Sequence, residues 1–395
     1  MMNRRIIFIC NALEDTTRIE REIYSDSPAA SKKTIEMASA LRSVGERVFI
    51  LSMGRGRPNN TRKNYKSKVC RVNGVPIIYA PFSHTPILSQ GISLFSMPYL
   101  LYRMKRFRGK TVAIFYNRTT AYISSLLTCI VLGYSRVLDL EDGDLPAKGW
   151  SWYQVFLKSK RLLYDKLCNG GTILACSGLS NINAKRPGLC YYGAVSNFRT
   201  DISWKSKNKY KFLLGGTVSY DTGAKTLIDA INILRNNSEL WVDKLEFIIT
   251  GKGDCVQYFE ELAKIERSPF IKVKGRLTDS EYIDVIQECD VGLALKQNTG
   301  MLANTTFPSK VIELASSGLL VLTTNISDVK FVLSDGAIYL DNDRVDSLLD
   351  SLQWIVENPD SAESLARIGV LAVEKQCAIN IAGDNLTKYI FNNEK

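Results

Sequence analysis

Histidine is almost missing from this chain: one residue of 395, His84, is a histidine. Ser-His-Asp or Cys-His chemistry would therefore have to be built around that residue. It sits in the loop-like run Pro81-Phe82-Ser83-His84-Thr85-Pro86, where an imidazole is expected to be solvated rather than catalytic. The nine cysteines include no CxxC pair and have no histidine cluster beside them. That spacing argues against zinc and for free thiols in a reducing compartment. Long apolar runs are lacking too. The stretch 121–134 comes nearest to the about 18 residues needed to cross a bilayer, but it is too short and too rich in serine and threonine. The start, Arg4-Arg5 before Ile6-Ile7-Phe8-Ile9-Cys10, resembles a signal peptide without a small-residue cleavage site and reads better as a buried strand. A cytoplasmic protein is expected.

Negative charge is also short, with 40 acidic residues against 51 basic ones and a net charge of +11. Such an excess calls for an anionic partner or surface. Basic and aromatic residues interleave at 99–108 and 150–164, and helices of this kind suit an anionic membrane face, where each Lys or Arg contributes about 1 kcal/mol. The protein would then be peripheral on the inner face of the plasma membrane. The same runs read equally as core helices with a basic, solvated edge. No helix-turn-helix, zinc-finger or RRM signature accompanies the charge, so a nucleic-acid partner is not expected.

What is present is alternation. After a strand at 5–10 and a long polar loop at 11–27 come a helix at 28–44 and a strand at 47–52, a βαβ opening. Asn73-Gly74 between β-branched runs signals a hairpin over 68–80. Helices near 92–107, 121–132 and 152–167 then separate strands at 111–115, 136–140 and 172–176, with a last strand-like run at 189–192. The strand at 136–140 ends in Glu141-Asp142-Gly143-Asp144, at the edge where an α/β sheet places its ligands. Residues 199–209 turn polar and basic without apolar periodicity and read as a linker. A second alternating series fills 210–375, and residues 376–395 are expected to be a helix that packs back on the first domain. The boundaries are thus 1–198, 199–209, 210–375 and 376–395. Repeated βα units imply two parallel, doubly wound sheets with a cleft between them.

The most informative stretch is 305–318, Thr-Thr-Phe-Pro-Ser-Lys-Val-Ile-Glu-Leu-Ala-Ser-Ser-Gly, followed by Leu319-Leu320-Val321-Leu322. Ser309 before an apolar run and Gly318 after it predict a short capped helix delivering the chain into a buried strand. Spacings of three and four put Ser309, Lys310 and Glu313 on one side and Val311, Ile312, Leu314 and Ala315 on the packing side. A helix start with Lys310 would hold a phosphate, and Glu313 one turn on could accept from two adjacent hydroxyls, as on a ribose. A solvated glutamate and a surface lysine would produce the same spacing. Glycine-rich loops after three successive strands, Gly215-Gly216-Thr217, Gly251-Lys252-Gly253 and Gly275-Arg276, let backbone approach a ligand at one sheet edge.

These residues resemble the C-terminal half of a family-4, GT-B-fold glycosyltransferase. The resemblance runs through Leu213-Leu214-Gly215-Gly216, Ile248-Ile249-Thr250-Gly251-Lys252-Gly253, Val273-Lys274-Gly275-Arg276-Leu277, Cys289-Asp290-Val291-Gly292-Leu293 and 308–318, and more loosely through Leu174-Ala175-Cys176-Ser177. It implies an α/β protein of two Rossmann-like domains facing a cleft, with a nucleotide-sugar donor of UDP or GDP type on the second. A glycan or lipid-linked acceptor would lie on the first, as in surface-polysaccharide synthesis, and transfer would retain anomeric configuration without metal or cofactor. Gly216, Thr217, Gly251, Gly253, Arg276, Ser309, Lys310 and Glu313 would bind the donor; Glu141, Asp142 and Lys310 would be catalytic. Several positions depart from the family, among them the place of a histidine often found after the fourth or fifth strand of the first domain, where Glu141 or Asp142 stands. Thr217 and Thr222 stand where it places an Arg and a Lys near the diphosphate, and Thr305 stands where it places the first of two glutamates. Two alternatives follow. One is a sugar-nucleotide epimerase or a GT-A transferase using Asp142-Gly143-Asp144 as a metal-binding triplet. The other is a non-catalytic GT-B-like partner protein.

Overall fold

The computed structural model describes residues 4–58, 63–106, 109–142, 152–183, 188–204, 207–265, 267, 269–298, 303–340 and 342–392. Two compact units emerge from the packing, Met1–Ala194 with Ile379–Lys395, and Val195–Ala378.

In the first unit β1 (Arg4–Cys10) is followed by α1 (Asp15–Glu20), β2 (Ile23–Ser25), α2 (Pro28–Ser43), β3 (Arg47–Ser52), β4 (Arg57–Pro58), β5 (Asn64–Tyr65), β6 (Lys68–Val72), β7 (Val75–Tyr79) and β8 (Phe82–Ser83). Then come α3 (Pro86–Arg103), β9 (Lys110–Tyr116), α4 (Ile123–Val131), β10 (Ser135–Leu140), α5 (Trp152–Leu167), β11 (Thr172–Leu174), α6 (Gly178–Asn183) and β12 (Gly188–Cys190). Eight strands form one sheet in the order β12-β11-β10-β9-β1-β3-β7-β6. Its pairs are parallel apart from β6–β7. Ile6, Ile7, Phe8 and Ile9 are all buried, because a central parallel strand is covered on both faces and so reads as an unbroken apolar run. Asn73 and Gly74 both take positive φ, 50° and 77°, the backbone of a tight hairpin turn.

The stretch 11–27, expected as a loop, holds α1 and β2. The local reason is Glu14, whose carboxylate caps α1 by accepting the amides of Thr16 and Thr17, each at 2.7 Å. His84 is a second correction. It is buried rather than solvated, its Nε2 2.9 Å from the Arg21 carbonyl oxygen and its ring 5.3 and 5.4 Å from those of Tyr65 and Phe82. On the far side of the chain α14 (Ile379–Asn392) packs on α2, and the Tyr389 hydroxyl accepts the Thr172 amide at 2.9 Å.

The second unit contains β13 (Tyr210–Thr217), α7 (Ala224–Leu234), β14 (Leu245–Lys252), α8 (Val256–Ala263), β15 (Phe270–Gly275), α9 (Asp279–Glu288), β16 (Val291–Ala294) and α10 (Lys310–Ser316). It continues with β17 (Leu320–Thr324), α11 (Val329–Leu333), β18 (Ala337–Leu340), α12 (Val345–Glu357) and α13 (Pro359–Cys377). Six parallel strands run in the order β15-β14-β13-β16-β17-β18. The reversal of direction after β15, where the chain crosses from one side of β13 to the other at β16, is the place where such sheets open for a ligand.

Residues 199–204 do not behave as a free linker. Ile202 and Trp204 are buried in the second unit's core. The Trp204 ring lies 5.5 Å from that of Tyr210, the Trp204 amide donates to Glu363 at 2.8 Å, and Arg367 donates to the Thr200 carbonyl at 3.1 Å. The polar surface of the segment hides two large apolar side chains that periodicity over so short a run does not reveal. Replacing Trp204 by Ala should therefore cost about 3 to 5 kcal/mol of stability. Guanidinium unfolding of wild type and variant measures it; an unchanged midpoint would restore the linker.

Candidate functional site

The glycine loops lie side by side. Gly216 pairs in register with Gly251, Thr217 with Lys252, and Thr250 with Gly275, so the three loops leave one edge of the sheet together. The approach of the first two is tight. A Cβ on Gly251, whose φ is +119°, would lie 1.8 Å from the Gly216 carbonyl oxygen. Gly253 continues the same loop, and the Val218 amide donates to the Lys252 carbonyl at 2.9 Å. Thr217 is exposed at the end of β13.

Onto this edge α10 brings Lys310. Val311, Ile312, Leu314 and Ala315 are buried while Lys310 and Glu313 are half-buried, the division predicted from their spacing. A Cβ on Gly216 would lie 2.6 Å from Lys310 Cε, so the lysine folds directly over that glycine. Its ammonium donates to the Tyr282 hydroxyl at 2.8 Å and to Glu313 Oε2 at 3.3 Å, and sits 4.5 Å from the Tyr282 ring centroid. Three N–H groups with two protein acceptors leave one without a protein partner among the described residues. Thr250 Oγ1, on the neighbouring strand, is buried without a hydrogen-bond partner among the described residues.

The cap is a correction. Ser309 lies in the helical region and its side chain makes no capping bond. The Val311 amide donates to Pro308 and that of Ile312 to Ser309, at 3.0 and 3.1 Å. Two of the amides expected to face a phosphate are thus spent in local turns, and Lys310 supplies the positive charge here. Arg276 is exposed on the loop after β15. Thr222, where the resemblance expected a cation, closes its own turn: its Oγ1 is 2.8 Å from the Thr217 carbonyl oxygen and accepts the Ser219 amide at 3.0 Å. Thr305 is buried.

Glu141 and Asp142 belong to the first unit, at the carboxyl end of β10. Glu141 is ion-paired with Lys33, which also holds the buried Asp139 at 2.9 Å; Asp142 is exposed. Asp144 of the acidic triplet lies outside the described residues. Reading along the chain did not reveal Tyr282 or Lys33. Tyr282 sits one turn into α9, behind a Thr278–Glu281 capping box, and 28 residues separate it from the lysine it holds.

Residues 198–370 match the family Glycosyl transferases group 1. That stretch is similar to a group 1 glycosyl transferase domain. The matched stretch contains the Gly216, Lys310 and Glu313 cluster. Over 158 residues the chain is 26% identical to a chitobiosyldiphosphodolichol beta-mannosyltransferase of Dictyostelium discoideum, a match that spans 38% of this chain and 31% of that relative's length. The fold is GT-B. A structure of Anabaena Alr3699/HepE in complex with UDP is similar with a TM-score of 0.66 at 13% identity, covering 98% of this chain and 100% of that one. A glycosyltransferase from Rickettsia africae ESF-5 gives 0.65 at 13% over 100% and 99%. An α,α-trehalose 6-phosphate synthase from Burkholderia multivorans gives 0.65 at 9% over 98% of both chains.

The two glycine contacts separate in a stability experiment. Gly251→Ala combines a positive φ with a backbone collision and should cost more than about 3 kcal/mol. Gly275→Ala, with φ +62° and nothing within 4 Å of the added carbon, should cost only about 1 to 2 kcal/mol. Equal losses in urea unfolding would contradict the close approach.

Proposed function

We propose that the chain is a retaining glycosyltransferase of family-4 type that moves a sugar from a nucleotide-sugar donor to a glycan or lipid-linked acceptor in surface-polysaccharide synthesis. The observation that carries this reading is Lys310 folded over Gly216, with Glu313 3.3 Å from its ammonium, inside the matched domain. Lys310, with the loops at Gly216-Thr217 and Gly251-Gly253, would take the diphosphate as negative charge develops on the leaving group. Glu313 would accept from the ribose hydroxyls, Ser309 would reach a phosphate oxygen, and Arg276 would face the base or a phosphate. In the first unit Asp142 would orient an acceptor hydroxyl, with Glu141 held in place by Lys33.

The donor is of UDP or GDP type in this reading, and no metal or cofactor takes part. The UDP named with the Anabaena structure and the lipid-linked substrate in the name of the Dictyostelium relative support the two substrate classes. A cytoplasmic location at an anionic membrane surface fits the first unit. The crossovers from β7 to β9, β9 to β10 and β10 to β11 step the same way across the sheet, and right-handed connections put α3, α4 and α5 on one face. Phe95, Tyr99 and Tyr102 of α3 are exposed there, as is Trp152 of α5, at 91%. No helix among the described residues is long and apolar enough to cross a membrane. The reading as a non-catalytic partner protein draws on Thr217, Thr222 and Thr305, where the family has charged groups.

Thermal shift with a panel of nucleotides and nucleotide sugars tests the proposal. A ligand at a hundredfold over its Kd stabilises by about 2.7 kcal/mol. UDP, GDP or a sugar conjugate should produce that response, and EDTA should leave it intact. Glu313→Ala should lose about 1.5 to 3 kcal/mol of the affinity, the range for hydrogen bonds to a charged group. No response at millimolar nucleotide would favour the partner-protein reading, and abolition by EDTA would favour a metal-dependent enzyme.

A further inference from the structure

Thr217 and Thr222 leave the loop after β13 without charge, and Lys310 brings one cation back to it. A second lysine reaches the same loop from another strand. β13 and β16 are parallel neighbours with Leu214 opposite Leu293, so Gly216-Thr217 and Leu295-Lys296 leave the sheet side by side at its carboxyl edge. The two segments then touch. A Cβ on Gly223 would lie 2.0 Å from the Leu295 carbonyl oxygen, and the Gln297 amide donates to the Asp221 carbonyl at 3.1 Å. Lys296 stands between these two contacts. The loop it flanks folds back on itself, with Thr222 Oγ1 2.8 Å from the Thr217 carbonyl oxygen, next to the glycine that the Lys310 stem covers.

Both ends of Lys296 are fixed. Thr324 Oγ1 donates to its carbonyl at 2.5 Å, and its own ammonium donates to Thr306 Oγ1 at 2.5 Å. The side chain is half-buried. Thr306 opens the turn that leads into α10, where the Ser309 amide donates to the Phe307 carbonyl at 2.9 Å and that of Val311 to Pro308 at 3.0 Å. One tight turn therefore separates the threonine that holds Lys296 from Lys310. What Lys296 lacks is a counter-charge: no carboxylate pairs with it among the described residues. The two that these contacts bring to the segment are engaged elsewhere, Asp221 by the Ser219 hydroxyl and Asp343 by the Asn298 amide at 2.8 and 3.0 Å. A hydroxyl takes one of the three N–H groups, and two are left without a protein partner there.

We infer that Lys296 is a second cation of the site that contains Lys310, and that the two ammonium groups receive a diphosphate across the loop after β13. Lys310 shares its charge with Glu313, so alone it would offer a nearly neutral pair to a multiply charged leaving group. Two ammonium groups against one carboxylate leave the site net positive, which favours a diphosphate over a neutral sugar and favours it most when the full charge has developed. The positive charge that the loop itself lacks would thus come from β16 and α10. Assigning the diphosphate to a nucleotide sugar rests on the glycosyltransferase reading; the two-lysine anion site does not.

Calorimetric titration of the full chain with inorganic pyrophosphate tests the site. Lys296→Met keeps the apolar stem and should weaken saturable binding at least tenfold, as should Lys310→Met, with melting temperatures unchanged. Lys296→Gln, which keeps a donor for Thr306 without the charge, should behave as Lys296→Met does, and Lys296→Arg should recover most of the loss. Lys264→Met, which removes an exposed lysine paired with Glu261 at the far end of α8, should change nothing. Binding that ignores both Lys296→Met and Lys296→Gln but still needs Lys310 overturns the second cation and leaves the donor reading standing. No pyrophosphate binding by the wild type overturns the two-lysine site outright. Binding that needs both lysines, in a protein that no nucleotide stabilises, upholds the site and removes the donor reading.

Discussion

The second unit depends on how closely two strand ends approach. Gly251 lies against the Gly216 carbonyl with no room for a side chain, and this contact brings the loops after β13 and β14 together. Over it the Lys310 stem occupies the space that any side chain at Gly216 would need. A backbone surface and a full positive charge are thus presented at one point. Glu313 and Tyr282 hold the ammonium there.

Much of this was legible in the chain because it is local. The βα alternation is written in runs of four to eight apolar residues separated by turn signals, and strands such as Arg47–Ser52 and Ala337–Leu340 fall where those runs place them. The packing face of α10 follows from spacing alone. What was not legible depends on distant partners. Tyr282 and Lys310 meet because α9 and α10 flank the same sheet edge, and Lys33 reaches Asp139 and Glu141 across more than a hundred positions of sequence. The Ser309 cap failed because the turn at Phe307-Pro308 supplies backbone acceptors of its own. His84 and Trp204 failed for one reason: a single large side chain in a polar run carries no periodicity, yet finds a core pocket.

The substituted positions change how positive charge is supplied. Where the resemblance led to an arginine and a lysine after β13, Thr217 and Thr222 close a turn through the Thr222 hydroxyl. That stiffens the loop without charging it. Lys310 is left as the lysine folded onto the Gly216 backbone, and its two contacts make it a positioned cation rather than a solvated one. The first unit is acidic at the end of β10, where the single Lys33 ammonium pairs with both Asp139 and Glu141.

A crystal structure of the full chain grown with UDP or GDP would test the central claim most directly. The account predicts a diphosphate oxygen within hydrogen-bond distance of Lys310 Nζ and of backbone at Gly216, with the ribose hydroxyls on the Glu313 carboxylate. Nucleotide bound elsewhere, with Lys310 still closed on Tyr282 and Glu313, would contradict it.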